Sequence, residues 1–286
     1  NVYKYIFNRK VFNSIMNNKL PVAICIPAYN EGKNIKKILD GLARQITDKI
    51  VINKIVIVSS GSTDETESIV QEYCDKYDNF YLIIQDKRRG KASAINAFLQ
   101  QCDDEIIVIE SADTIPHAHT IENLCKPLIQ DNKIGMTGGA PIPLNDPETF
   151  LGYIIHAWWW FHRNIPRFGE IIAYRNVIDR LSPTTAVDEA YIQAKLVQQG
   201  YKIVHIDEAI VTNKGPETVK DLIKQRRRIF NGHSRLHSEE KVKIDNMTGS
   251  SIKLLLFNYK IKSLKHLCWF MGGIGIEIYA RVLGHY

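Results

Sequence analysis

The residues best suited to chemistry in this chain lie in several short polar stretches. "DKRRGK" (Asp86 to Lys91) surrounds Gly90 with Lys87, Arg88, Arg89 and Lys91, just ahead of a helix-forming run. Backbone N–H groups at a helix start, with cations beside them, attract a phosphate. The alternative is a solvated run of surface charge. "SSGSTD" (Ser59 to Asp64) places small polar residues at the mouth of an apolar strand. Gly61 suits a turn because glycine takes positive φ at little cost, and Ser62 or Thr63 can cap the helix that follows. Asp64 can cap the same helix or bond a ligand, and its position allows both. "PAYNEG" (Pro27 to Gly32) and "ESADT" (Glu110 to Thr114) add a tyrosine and further carboxylates. Asp188 and Glu189 open a later helix. Such a pair can accept a proton from a reacting group or simply meet the positive end of the helix dipole.

These stretches need a frame that brings them together, and the first 140 residues supply one. "VAICIP", "KIVIVSS", "FYLIIQD" and "EIIVIESAD" read as strands, each followed by a helical stretch. Strand–helix alternation predicts an α/β fold with a mostly parallel, twisted sheet flanked by helices. Runs such as Ile106 to Ile109 are apolar on both faces, as a sheet covered on both sides requires. In such sheets ligands bind beyond the carboxyl ends of the strands, and all four polar stretches fall there. Beyond residue 145, an aromatic helix is expected to break at Pro166. A strand "GEIIAYRN", a helix from Val187 to about Gly200 with a strand after it, and a helix opened by Pro216 follow. With no repeat and no low-complexity linker, this second half is expected to extend the same sheet.

With 286 residues, 45% of them hydrophobic, the chain can bury one large core or two moderate ones. A net charge of +6 is too mild for a whole-protein nucleic-acid binder. The clusters at Lys87–Lys91, Lys224–Arg228 and Lys260–His266 point instead to anionic ligands or an acidic membrane surface. Five cysteines without CxxC spacing argue against zinc and disulfide frameworks and for a reducing compartment. The N-terminus shows no signal-peptide pattern. Because Asn1 is not a methionine, residues upstream of it are expected.

"PAYNEGKNI", "SSGSTDET", "RRGKASAIN", "SADT", "VDEAYIQAKLVQQGYKI" and "GPETVKDLIKQRRRIFNG" together resemble, in order and spacing, family 2 glycosyltransferases of the GT-A fold. The resemblance runs from about Val22 to Gly232. It implies a glycosyltransferase domain over residues 21–235, with a nucleotide-sugar half (21–140) and an acceptor and catalytic half (141–235). A segment rich in aromatic and basic residues (1–20) precedes it, and C-terminal helices (236–286) that bind membrane or pack on the domain follow. The reaction it implies is inverting transfer from a UDP-, GDP- or dTDP-sugar, aided by Mn²⁺ or Mg²⁺. The implied donor-binding residues are Pro27, Ala28, Tyr29, Glu31, Ser60, Asp64, Arg89, Gly90, Lys91, Ser111, Ala112, Gln225 and Arg228. Asp113 is the implied metal ligand, and Glu189 or Asp188 the implied base, with Glu189 at the family's base position. Asn96 is expected to face the same cleft, and Arg226 to Arg228 to offset the charge of the departing diphosphate.

Three departures from the family pattern matter. Ser59 and Ser60 replace an Asp-Asp pair, which leaves the choice of base open. Ser111 replaces the first carboxylate of the DxD motif, so the cation site is expected to be weaker; alternation points Glu110 away from it. Ile229 stands where a tryptophan lies near the acceptor in polymerising members, which argues against a processive synthase. His117 and His119 read as loop or helix-start residues rather than metal ligands. Trp158, Trp159 and Trp160 suit an acceptor groove or a bilayer interface, or a helix packed on two sides. The C-terminal segment falls short of the ~20 apolar residues of a spanning helix. It reads as interfacial helices flanked by lysines, with a dimer contact or a core-packing tail as alternatives. A lipid-linked or glycan acceptor at the cytosolic membrane face is therefore expected. A nucleotidyltransferase, which would release pyrophosphate, and an inactive nucleotide-sugar binder are the rival readings.

Overall fold

The computed structural model describes residues 19–164, 168–183, 185, 187–240, 259 and 261–285. The N-terminal segment up to residue 18, the expected break at Pro166 and residues 241–258 lie outside the described residues.

The first half folds as the alternation predicts. Strands β1 (Leu20–Ala28), β2 (Ile50–Ser60), β3 (Phe80–Gln85) and β4 (Ile106–Glu110) alternate with helices α1 (Ile35–Ala43), α2 (Thr66–Lys76) and α3 (Lys91–Leu99). Then come β5 (Thr114–Pro116), α4 (Thr120–Gln130), β6 (Ile134–Pro143), α5 (Phe150–Asn164), β7 (Ile171–Arg175), α6 (Asp188–Gln198), β8 (Lys202–Asn213), α7 (Val219–Glu240) and α8 (Leu264–His285). One eight-stranded sheet, ordered β3-β2-β1-β4-β7-β6-β8-β5, passes through both halves. Only β7 and β5 run against the others.

Side chains alternate across this sheet, so each strand feeds two cores. Ile24, Ile26 and Val108 pack under Ile35, Ile38 and Leu39 of α1, Val70 of α2 and Leu124 and Leu128 of α4. Ala23, Cys25, Ile107 and Ile109 pack against Ile95 and Phe98 of α3 and Tyr191 and Ile192 of α6. Strands β5 and β6 were not anticipated. β6 reads "IGMTGGAPIP", whose glycines and prolines disfavour a strand by propensity. It is held in the sheet by parallel pairing with β8 and antiparallel pairing with β7.

Glu110, as alternation predicts, points into the sheet rather than toward the loops. It is fully buried. Thr114 Oγ1 donates to its Oε1 at 2.9 Å, while Oε2 has no hydrogen-bond partner among the described residues. Burial pushes its carboxyl up to about 8, against a small opposing effect of the Thr114 bond. A carboxyl raised on folding binds more protons in the native state than in the unfolded one between the two pKa values. Stability therefore falls as pH rises from about 4.5 to about 8. Glu110→Gln should remove that slope and stabilise the protein at pH 8 by a few kcal/mol, with little change at pH 4.5. Urea denaturation of both proteins at the two pH values measures it; parallel pH dependences would contradict the assignment.

Candidate active site

Because β1 to β4 are parallel, their carboxyl ends share one edge, and the loops there are stitched to one another. In the β1 loop, Asn30 adopts a left-handed φ of 54°. Its Oδ1 accepts from Thr63 N at 2.8 Å, and its own N–H donates to Ser62 Oγ at 3.1 Å. Glu31 N donates to Thr66 Oγ1 at 2.8 Å. Asp64 caps the helix and ties in the first loop: Oδ1 accepts from Thr66 N (3.1 Å) at the start of α2, and Oδ2 accepts from Gly32 N (2.9 Å). It is otherwise exposed. Pro27 and Ala28 close β1 beneath this loop.

The third loop rests on the second. Gly61 has φ 71°, and a Cβ there would meet Arg88 N at 2.4 Å, so the two backbones pass too closely for any side chain. Ser60, buried, donates to Gln85 Oε1 at 2.8 Å and accepts from Arg89 N at 2.9 Å. Its hydroxyl is spent on the loop. Ser59 donates to Glu67 Oε1 at 2.6 Å. The Arg88 guanidinium lies 4.1 Å over the Tyr29 ring, so the first and third loops meet directly. Arg89 pairs with Asp86 at 2.5 Å.

Gly90, with φ 87°, precedes α3 and directs Lys91 across the edge. Lys91 Nζ lies 2.6 Å from Glu189 Oε1 and 3.0 Å from Asp188 Oδ2, at the start of α6. The phosphate-type loop and the acid pair, 98 residues apart, therefore meet. Asp188 is nearly enclosed, its side chain 4% exposed; Glu189 is at 15%. Burial pushes Glu189 up, but the Lys91 charge and hydrogen bond outweigh it and hold the carboxyl below the ordinary glutamate value. Burial and then the neighbouring Glu189 charge push Asp188 up to about 6, with Lys91 opposing. Burial lowers Lys91, yet Asp188 and Glu189 together raise it well above the ordinary lysine value.

The carboxyl end of β4 holds Ser111, Ala112 and Asp113; Ala112 is buried and Asp113 exposed. β7 runs antiparallel to β4, so its first residues reach the same edge. Glu170, just before it, has φ 61°, and its C=O accepts from Ser111 N at 2.7 Å. No motif singled it out in the sequence. Burial, then the charge of Asp113, pushes Glu170 up to about 7, while Lys91 and a hydrogen bond from Ser111 oppose this. Glu31 is also raised, first by burial and then, against a bond from Asn34, by Asp113 and Asp64. Among the described residues no three His, Cys, Asp or Glu side chains gather closely enough to hold a metal unaided. Asp113 offers a hard oxygen of the kind a Mg²⁺-type ion accepts when phosphates and waters complete its shell.

The expectations for Asn96, Arg226 and the length of the C-terminal apolar helix need correction. Asn96 does not face the cleft: its side chain donates to Leu181 O (3.0 Å) and accepts from Leu181 N (2.7 Å), fixing the segment that leads to Asp188. Arg226 is not aimed at a leaving group; it makes a two-pronged pair with Glu277 of α8 at 2.6 and 3.3 Å. Gln225 is half-buried and Arg228 exposed on α7. Both His117 and His119 are exposed. Trp158 and Trp160 pack with Phe161, Tyr259 and Phe270 between α5 and the C-terminal segment. Trp159 points elsewhere, beside Gly169, where its ring would lie 3.7 Å from an added Cβ. The C-terminal segment does not fall short of a spanning length. It continues as one helix, of which Leu264–Gly284 is long and apolar enough to cross a membrane by length and composition.

Residues 23–180 match the family model described as Glycosyl transferase family 2. The probable glycosyltransferase YdaM of Bacillus subtilis (strain 168) is 27% identical over 232 residues, 74% of this chain and 55% of that protein. The dolichyl-phosphate beta-glucosyltransferase ALG5D of Trichomonas vaginalis (strain ATCC PRA-98 / G3) is 32% identical over 127 residues, 42% of this chain and 39% of that protein. The chain thus spans about half or less of the length of these relatives. Among solved structures, the mannosyltransferase PcManGT from Pyrobaculum calidifontis in complex with GDP-Man and Mn²⁺ superposes with a TM-score of 0.66. That match covers 94% of this chain and 88% of the other at 20% identity, a likeness of fold.

Proposed function

Because the chain belongs to glycosyl transferase family 2, we propose that it transfers one sugar, with inversion, from a nucleoside diphosphate sugar to a lipid-linked acceptor at a membrane surface. The observation that carries this reading is the bridge from Lys91 to Asp188 and Glu189. It joins the Gly90–Lys91 loop to the acid pair that opens α6. Tyr29, Glu31 and Asp64 line the nucleoside end, and Gly90 and Lys91 the diphosphate end. Glu189, held ionised, takes the proton of an acceptor hydroxyl as that oxygen bonds to the anomeric carbon and the bond to the diphosphate breaks. Lys91 then faces the charge that the diphosphate gains. A divalent cation held at Asp113 would supply further neutralisation of that charge. A fold neighbour solved with GDP-Man and Mn²⁺ supports the donor class and the cation. A relative named for dolichyl phosphate supports the acceptor class.

The membrane part of the reading rests on α8. Leu264 (76% exposed), Met271 (57%), Ile278 (58%) and Val282 (49%) recur at helical spacing along its outer side, with Lys262 and Lys265 at its start. An apolar stripe flanked by lysines suits the headgroup boundary of an acidic bilayer. The test is incubation with UDP-, GDP- and dTDP-sugars, with and without Mn²⁺ and vesicles containing either a polyprenyl-linked glycan, whose hydroxyl needs the base, or a polyprenyl phosphate, whose oxygen is already anionic. Metal-dependent release of nucleoside diphosphate, faster with the vesicles, is expected. Release of pyrophosphate would replace the reading by nucleotidyl transfer, and no turnover of any donor would refute it.

A further inference from the structure

Ser111 stands where the family places the first carboxylate of its cation-binding motif, and a hydroxyl there leaves Asp113 without its usual companion. The register of the sheet supplies another candidate. Glu110 pairs with Ile171 across β4 and β7, so the next residue on β4, Ser111, lies beside the residue preceding β7, Glu170. The two are joined by the 2.7 Å bond from Ser111 N to Glu170 O. Residues opposite each other across a pair of strands share a face, so the Ser111 and Glu170 side chains leave the sheet on the same side; the charges of Asp113, Lys91 and Glu189 act on the Glu170 carboxyl. The backbone of Glu170 is left-handed, with φ 61°, a conformation uncommon for a residue of this type. It is half-buried, and Trp159 stands beside its neighbour Gly169.

Resting on the glycosyltransferase reading, we propose that Glu170 supplies the second carboxylate of the divalent-cation site, replacing across the β4–β7 pair what Ser111 lacks within the motif. A carboxylate from the adjacent antiparallel strand reaches the same edge from the opposite chain direction, so the donor set is kept while its source in the chain changes. Two carboxylates with diphosphate oxygens and water suit Mg²⁺ or Mn²⁺, which bind few protein ligands. The loss at position 111 is therefore compensated.

The test is Mn²⁺ affinity of the full chain, followed by electron paramagnetic resonance in the presence of UDP and of GDP. Glu170→Gln is expected to weaken Mn²⁺ binding at least about tenfold, as Asp113→Asn does. Ser111→Asp placed in the Glu170→Gln protein should recover most of it. Nucleotide affinity in EDTA should be the same for Glu170→Gln and wild type, which separates a lost ligand from a damaged fold. Mn²⁺ binding by Glu170→Gln within twofold of wild type, with Asp113→Asn weakened, overturns the proposal. If wild type meanwhile releases nucleoside diphosphate from its donor, the glycosyltransferase reading survives that failure. If wild type turns over no donor, that reading falls first and this proposal with it.

Discussion

Replacing Glu189 by glutamine is expected to lower transfer by about a hundred- to ten-thousand-fold, the range a positioned general base contributes, with nucleotide affinity unchanged. Of the two acids at the head of α6, Glu189 is the more open, and Lys91 holds it ionised. Asp188 is nearly enclosed and shifted toward neutrality. A base must be charged and reachable, and only Glu189 meets both conditions. Asp188→Asn should cost less in turnover and act mainly through the Lys91 contact. The measurement is the initial rate of nucleoside diphosphate release with a hydroxyl acceptor or water, alongside donor binding by calorimetry. Unchanged turnover in Glu189→Gln would remove it from the role of base.

Lys91→Met should be nearly as damaging, and its signature lies in the pH profile. Loss of a cation facing developing charge costs about 3 kcal/mol, on the order of a hundredfold in rate. In addition, the Lys91 charge is what keeps Glu189 below its ordinary pKa against the effect of burial. Without it burial is opposed only by a backbone hydrogen bond and the hydrogen bond with Asp188, so the Glu189 carboxyl should titrate at higher pH. Because the base works in its ionised form, the acid limb of kcat/KM should move upward. The defect should then be larger at pH 6 than at pH 8. An equal loss at both, with the limb unmoved, would mean that Lys91 serves the diphosphate alone.

Much of this arrangement can be read from the sequence because its signals are local. The apolar runs from Val22, Ile55 and Ile106 with their helices define the parallel half, and the polar residues that close each run mark the binding edge. Asp188 and Glu189 stand out because a helix start is itself a local pattern. What the sequence conceals depends on pairing between distant segments. Lys91 reads as a phosphate ligand, and only the packing of α3 against the strands brings it to an acid pair in another part of the chain. Asn96 lies one helical turn on and was expected in the cleft, but the backbone of Leu181 was available to satisfy a buried amide. Glu170 carries no motif. Its one trace is a carboxylate between Gly169 and an apolar run, and its meaning comes from a register that propensities do not specify. Strand β6 is hidden because its glycines and prolines say turn, while two neighbouring strands hold it extended.

The bond between Arg226 and Glu277 has a consequence for any shortened version of this protein. Helix α8 also covers Tyr153 and Ala157 with Phe270 and stacks His266 on Tyr153. Cutting the chain before Leu264 would therefore uncover an aromatic surface and strand a half-buried guanidinium on the helix that carries Gln225 and Arg228. A variant trimmed for ease of handling would not be the same catalyst minus an anchor. It would be one whose helix α7 had lost its brace.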